Sequence, residues 1–323
     1  MLDKSSKIFV AGHSGLVGSA IVRCLKSKNY NNISLRTHSE LDLTDQFATR
    51  EFFLEEKPDI VFLAAAKVGG IHANSSFPVE FIRDNLAIQN NVINEAFRIG
   101  VKDLVFLGSS CIYPRDCSQP ITEDQLMTGP LEPTNRPYSI AKISGIELCW
   151  SYNKEFDTRY VAVMPTNLYG PGDSYDLNTS HVLPALLRKC HELKMNSQNM
   201  MTVWGSGQVF REFLYSDDLA EACVYLMTQP KDRLNFLFGT DGPPLINVGS
   251  GAEHRIRDLV TLISEVVEYR VELNWDRTKP DGAPRKLLDS SKIRGLGWTP
   301  LIDLKDGLQR VYGDYLERYS CEG

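Results

Sequence analysis

Gly12-His13-Ser14-Gly15-Leu16-Val17-Gly18 follows Lys7-Ile8-Phe9-Val10-Ala11, an apolar run of the kind a buried parallel strand needs. It leads into Gly18–Lys26, where Ile21, Val22 and Leu25 recur at helical spacing. Glycines between a first strand and a first helix let the backbone approach a pyrophosphate, and the free N–H groups of the helix start favour the anion. The spacing is GxxGxxG rather than GxGxxG. The motif gains its weight from lying between a strand and a helix, since glycines also merely terminate strands.

Outward from this loop the pattern repeats. Asn32–Leu35 reads as a second strand, Asp45–Glu55 as a helix with Thr44 as its N-cap, and Asp59–Ala65 as a third strand. Phe77–Ile99 is a long helical pattern, Leu104–Leu107 a fourth strand, Tyr138–Tyr152 a helix and Tyr160–Met164 a strand. Strands alternating with helices predict an α/β fold, a Rossmann-type doubly wound parallel sheet. After about residue 170 the pattern loosens. Short strands at Thr202–Trp204, Leu245–Val248 and Val271–Leu273 mix with helices at Leu183–Lys194, Asp217–Met227 and Ile256–Val267. The expected organisation is a dinucleotide-binding domain over 1–172, with segments near 211–250 returning to it, and a smaller C-terminal α/β substrate domain over 173–323.

At 323 residues the chain is long enough for a large core without staples, and 42% hydrophobic with 24% charged residues is ordinary for a globular protein. The net charge of −6 argues against a nucleic-acid backbone as partner. The cysteines (Cys24, Cys111, Cys117, Cys149, Cys190, Cys223, Cys321) are odd in number and form no CxxC pair, so neither a disulfide framework nor a structural metal site is expected. With no signal-peptide pattern and no apolar run of ~18 residues, the expectation is a cytoplasmic protein without a membrane partner.

The end of the second strand discriminates between cofactors. An acid there holds the ribose 2′-hydroxyl of NAD. Here the text is Leu35-Arg36-Thr37-His38-Ser39, with no acid until Glu40, which suits a 2′-phosphate and predicts NADP(H). Asp42-Leu43 follows and is expected to border the adenine. Tyr138-Ser139-Ile140-Ala141-Lys142 puts a tyrosine and a lysine on one helix face. An ammonium there would lower the phenol pKa, readying Tyr138 to exchange a proton as hydride moves. Chance produces YxxxK often. Leu107-Gly108-Ser109-Ser110 at the end of the fourth strand strengthens it, because ligands bind at strand ends in such sheets, and Ser109 can reach the same oxygen.

These three features resemble the extended short-chain dehydrogenase/reductase family. Longer stretches are more specific: Ala64–Ile71 (AAAKVGGI), Gly108–Pro114 (GSSCIYP), Pro165–Pro171 (PTNLYGP), Ser180–Leu187 (SHVLPALL) and Lys279–Lys286 (KPDGAPRK). They resemble the branch that epimerises GDP-4-keto-6-deoxy-D-mannose at C3 and C5 and then reduces it at C4 with NADPH, and the likeness runs from about residue 7 to about 315. It implies that Ser109, Tyr138 and Lys142 serve reduction and that Cys111 and His181 are the epimerisation acid/base pair. The chemistry agrees: a 4-ketone acidifies both neighbouring C–H bonds, and inverting them needs one group to take a proton and another to return one. The resemblance also implies cofactor contacts along Gly12–Gly18 (His13, Ser14, Gly15, Leu16 and Val17 included) and from Ala64, Ala66, Leu107, Pro165, Asn167, Leu168 and His181. The loop carries Ser14 and the turn His38 where some members place arginine.

For the GDP-sugar, Ser109, Ser110 and Asn167 are expected at the sugar. Trp204 is expected at the sugar or base, Arg211 at the pyrophosphate, Lys189 as a second cation (with Arg188 beside it as the alternative), and Asp281 as an acceptor for guanine or ribose donors. A 4-epimerase, 4-reductase or 4,6-dehydratase of the same fold stays open, as does a cofactor-binding regulatory protein. Ser110-Cys111 lacks a dehydratase's acidic pair, and an intact Tyr138/Lys142 argues against a protein without turnover. Family members often pair through two helices each, so a homodimer through Phe77–Ile99 and Tyr138–Tyr152 is expected.

Overall fold

A computed structural model describes residues 2–177, 180–238, 242–279 and 281–319. The first half runs β1 (Ile8–Ala11), α1 (Leu16–Ser27), β2 (Ile33–Ser34), α2 (Gln46–Glu56), β3 (Ile60–Leu63), α3 (Ile71–Ser76), α4 (Pro78–Arg98), β4 (Asp103–Leu107), α5 (Arg136–Phe156), β5 (Arg159–Pro165) and β6 (Asn167–Tyr169). The second half adds α6 (Val182–Met195), β7 (Met200–Trp204), β8 (Phe210–Tyr215), α7 (Ser216–Thr228), β9 (Leu245–Val248), β10 (Glu253–Arg255), α8 (Ile256–Val267), β11 (Glu272–Asp276), α9 (Ser291–Gly295) and α10 (Leu304–Tyr319).

Six strands form one parallel sheet in the order β2-β1-β3-β4-β5-β9. The chain runs one way from β1 to β2 and the other way from β1 to β3, so the order reverses at β1 and opens a crevice at its carboxyl end. Alternate side chains of each strand feed opposite faces. Ile8 and Val10 join a core with Ile21 and Leu25 of α1 and Leu219 and Cys223 of α7. Phe9 and Ala11 join another, with Phe53 of α2, Val92 of α4 and Ile146 and Cys149 of α5. The sheet is therefore covered on both sides, the condition for an all-parallel sheet.

A third core gathers Leu183 and Leu187 of α6, Leu259 and Ile263 of α8 and Leu308, Val311 and Tyr315 of α10 around Phe213 and Tyr215 of β8. Two small sheets, β10-β8-β6 and β11-β7, lie in this part. β9, from far along the chain, completes the large sheet by pairing Ala162 with Leu245 and Pro165 with Val248. The expected cap of α2 is corrected. Asp45, not Thr44, accepts from the free amides of Phe47 and Ala48 at 2.8 and 3.1 Å, while the Thr44 hydroxyl turns back to Asp42 at 2.7 Å. A carboxylate is the better acceptor at a positive helix start. Among the described residues no helix is long and apolar enough to cross a membrane, and no cluster could hold a metal ion.

Candidate active site

At the carboxyl ends of β1, β3, β4 and β5 a cleft of about 760 Å³ opens. Its floor is the glycine loop. Gly12 has φ +80°, and a Cβ on it would fall 2.6 Å from Ala65 N; one on Gly18 would fall 2.0 Å from Gly12 O. The loop folds this tightly only with glycine at both places. The reward is a bare backbone at the start of α1, whose first turn carries no acid to repel an anion. Ser14, Gly15, Leu16 and Val17 line the cleft with Gly12 and Gly18. His13 does not. Its Nδ1 is buried without a partner and its Cα packs beneath Gly18, so it serves the loop through its backbone.

Past β2, Arg36, His38, Asp42 and Leu43 line the same cleft. Arg36 is tied to Glu56 at 2.6 Å and lies over the Phe52 ring, while His38 is exposed. Glu40, the first acid to follow β2 in sequence, is occupied by the Thr37 amide at 2.7 Å and the Thr37 hydroxyl at 2.8 Å. The edge of the cleft past β2 thus carries Arg36, paired with Glu56, and His38, 3.9 Å from Asp42. Ala64, Ala66, Leu107, Pro165, Asn167 and Leu168 form the walls.

Ser109, two residues past the end of β4, caps a single turn at Ser110–Ile112, its Oγ accepting Cys111 N at 3.2 Å. Tyr138 and Lys142 face it from α5. Lys142 is 3% exposed; its Nζ donates to Leu107 O at 2.7 Å and stands 5.8 Å from the Tyr138 ring centre. The expectation that this ammonium depresses the phenol pKa does not hold. Burial, then the Cys111 side chain, pushes Tyr138 well above 10, the Ser109 hydroxyl alone pulling it down. Burial also lowers Lys142 from 10.5 to about 7. Desolvation dominates both groups and holds the phenol in its protonated form.

Cys111 and His181 both line the cleft. Two donors converge on the thiol: Asn135 Nδ2 at 3.1 Å and Lys286 Nζ at 3.8 Å from Sγ. Neither carries a role in the sequence reading. Asn135 precedes α5, where asparagine ordinarily reads as a cap, yet its side chain makes no capping bond. His181 begins α6 without a side-chain capping bond. Its surface is open on the cleft side, and the protein packed around it pushes the imidazole below 6.5, so it is neutral at pH 7 and can accept a proton.

Ser110, Asn167 and Arg211 line the cleft, whereas Lys189, Trp204 and Asp281 stand outside its lining. Lys189 reaches Thr202 O at 3.4 Å, Trp204 is 55% exposed with Lys279 over its ring, and Asp281 Oδ1 is taken by Ser206 N at 2.7 Å. Arg188, the alternative to Lys189, is committed to Glu192 and Tyr175 O. Arg211 gives three of its five N–H groups to carbonyls: Phe210 and Ala283 at 2.7 Å and Asp281 at 3.0 Å. Two remain, the number a bidentate phosphate contact uses.

A doubly wound sheet whose strand-end serine and Tyr–Lys helix meet over the phosphate loop defines the class: an extended short-chain dehydrogenase/reductase. The chain belongs to the NAD dependent epimerase/dehydratase family, whose family model matches residues 8–249. It is 55% identical over 317 residues to GDP-L-fucose synthase 1 of Arabidopsis thaliana, covering 98% of this chain and 95% of that one. It superposes with TM-score 0.91 on a GDP-6-OMe-4-keto-L-xylo-heptose reductase from C. jejuni, at 36% identity and 100% and 99% coverage. A GDP-L-fucose synthetase from Naegleria fowleri bound to NADP gives TM-score 0.87 at 27% identity, covering 99% and 97%.

Proposed function

We propose that this enzyme converts GDP-4-keto-6-deoxy-D-mannose to GDP-L-fucose in one cleft, by epimerisation at C3 and C5 followed by NADPH-dependent reduction at C4. The observation that carries this reading is that Cys111 and His181 line the same cleft as Tyr138, Lys142 and the glycine loop. A plain 4-epimerase or 4-reductase needs no such proton-transfer pair. Relatives of high identity and full coverage bear the corresponding name, and a related structure holds NADP.

The residues present fit that cofactor. Gly12–Gly18 would cradle the pyrophosphate and Arg36 with His38 would face the 2′-phosphate. NADPH supplies the hydride when bound; the rest is done by the chain. Neutral His181 and the Cys111 thiol exchange protons with C3 and C5 on opposite faces of the sugar, the enolate oxygen being met by donors at O4. Tyr138, held protonated by burial, donates its phenolic proton to O4 as the ketone becomes an alcohol. Ser109 hydrogen-bonds the same oxygen, and Lys142 sits under the tyrosine from its anchor at Leu107 O. Arg211 binds the diphosphate with its two uncommitted N–H groups, while Trp204, Lys189 and Asp281 serve the nucleotide end from beyond the cleft.

Residues 1–172 with α7 and β9 form the cofactor half in this reading, β8 joins the small sheet with β10 and β6, and 173–323 otherwise hold the sugar nucleotide. The enzyme works in the cytoplasm as a homodimer. α4 and α5 pack along one another and leave Val79, Ile140 and Phe156 exposed, apolar surface that a four-helix interface would cover. The test is direct. In D₂O without reductant, the keto-sugar should gain deuterium at C3 and C5; with NADPH added, absorbance at 340 nm should fall as GDP-L-fucose forms. Reduction without exchange would instead identify a simple 4-reductase.

A further inference from the structure

Three consecutive residues of β8 hold a single stretch of chain. Phe210 N donates to Pro284 O at 3.0 Å, and Arg211 reaches the carbonyls of Asp281 and Ala283. Glu212 is fully buried; one carboxylate oxygen accepts Leu288 N at 3.0 Å and the other accepts Gly251 N at 2.7 Å. Across the stretch, Leu287 N donates to Gln119 Oε1 at 2.9 Å and Leu287 O accepts Ile121 N at 2.7 Å. Lys286 lies between these anchors, with its Nζ 3.8 Å from Cys111 Sγ. The 281–288 strap thus joins the arginine at the nucleotide end to the thiol.

A buried acid is a costly way to hold a loop. Burial raises the Glu212 pKa, and only the bonds from Leu288, Gly251 and Thr166, with Arg294 nearby, favour its charge. An apolar contact would hold the strap without that cost but would not fix the direction of one amide. A carboxylate accepting on both oxygens fixes two, and one of them belongs to Leu288, two positions from Lys286.

We propose that Glu212 is a positioning residue for proton transfer at Cys111: by fixing the Leu288 amide it sets the strap, and with it the Lys286 ammonium, against the thiol. This rests on the reading of Cys111 as an epimerisation residue. Glu212→Gln replaces one acceptor oxygen by an NH₂ group that opposes a backbone N–H. The test compares Glu212→Gln, Lys286→Met, their double variant and Cys111→Ser in the full chain. The readouts are deuterium washout into C3 and C5 without reductant, NADPH affinity and the melting transition.

Both single variants should slow washout at least tenfold with unchanged NADPH affinity. The double variant should be no slower than the slower single variant, at least tenfold faster than the product of the two single effects predicts, because residues acting through one contact are not additive. Multiplying effects, or loss of NADPH affinity in step with washout, would overturn the proposal, the second outcome marking a merely structural glutamate. Should Glu212→Gln not fold, Glu212→Asp keeps the charge but draws the amide back, and the same cycle applies. Wild-type washout in Cys111→Ser would sink the underlying reading of the thiol. Slow washout there with wild-type washout in Glu212→Gln would sink the Glu212 proposal alone.

Discussion

Lys142 should make the folded protein less stable at neutral pH than its own alkaline form. Its ammonium has one hydrogen bond, to Leu107 O, and no carboxylate among the groups that shift it; burial lowers its pKa from 10.5 to about 7. A folded-state pKa below the unfolded one means that the unfolded chain binds the extra proton. The penalty is complete below pH 7 and fades as pH rises toward 10.5. The full drop, 10.5 to 7 at ~1.36 kcal/mol per pH unit, is about 5 kcal/mol. At pH 7, where half the folded molecules are already neutral, about 4 kcal/mol remains, and at pH 9 about 2. Lys142→Met removes the titration but orphans the Leu107 carbonyl, which costs ~1–3 kcal/mol at any pH. The two terms predict a variant more stable than wild type by about 1–3 kcal/mol at pH 7, an advantage that disappears near pH 9, together with loss of ketone reduction. Urea denaturation of both proteins at pH 7 and pH 9 measures it. If the wild type and the variant change stability equally between those pH values, Lys142 does not carry a depressed pKa and the burial argument is wrong.

Tyr138→Phe should lower NADPH oxidation by ~10²–10⁴-fold while leaving deuterium washout measurable, since the phenol serves O4 rather than the ring carbons; steady-state rates and exchange mass spectra check both. Cys111→Ser substitutes a far weaker acid and His181→Asn cannot titrate, so each should lose most washout yet bind NADPH as the wild type does by fluorescence titration. Because the protein packed around His181 lowers its pKa, washout should fall only as the buffer is made acidic, not between pH 8 and pH 7. kcat/KM should favour NADPH over NADH, and Arg36→Ala should narrow the ratio by about tenfold, the worth of one exposed phosphate contact; an unchanged ratio would remove Arg36 from cofactor choice.

The sheet was legible because its strands are apolar on both faces and its helices keep a 3.6-residue period. The elements absent from the sequence reading lack those marks. β8 carries Arg211 and Glu212 in the middle of six residues, and β10, Glu253–Arg255, contains no apolar residue at all. β10 exists through pairing with β8, and β8 through pairing with both β10 and β6, which no local pattern encodes. α10 is an exception, absent from that reading although Leu308, Val311 and Tyr315 keep helical spacing and face a buried core. The catalytic motifs stood out because loop, strand end and helix each hold a short signature. Asn135 and Lys286 did not. They reach Cys111 from 24 and 175 residues away, and nothing in an isolated asparagine or lysine announces that. The phenol's protonation was misjudged because spacing shows neighbours but not solvent exclusion.

The edge strand β9 bears on how the chain is made. Its hydrogen bonds to β5 join Ala162 to Leu245, so the sixth strand leaves the ribosome more than eighty residues after the fifth. For the whole of that interval β5 is an uncovered edge, with Ala162 through Pro165 offering the unpaired N–H and C=O groups that recruit other chains. α7, which covers Ile8 and Val10, is also still missing for much of it. A nascent chain stalled between α6 and β9 should therefore be the aggregation-prone species during synthesis and the one a chaperone retains. A fragment ending at residue 172 should behave the same way, because it lacks both β9 and α7, one of the two helices over the Ile8–Val10 face.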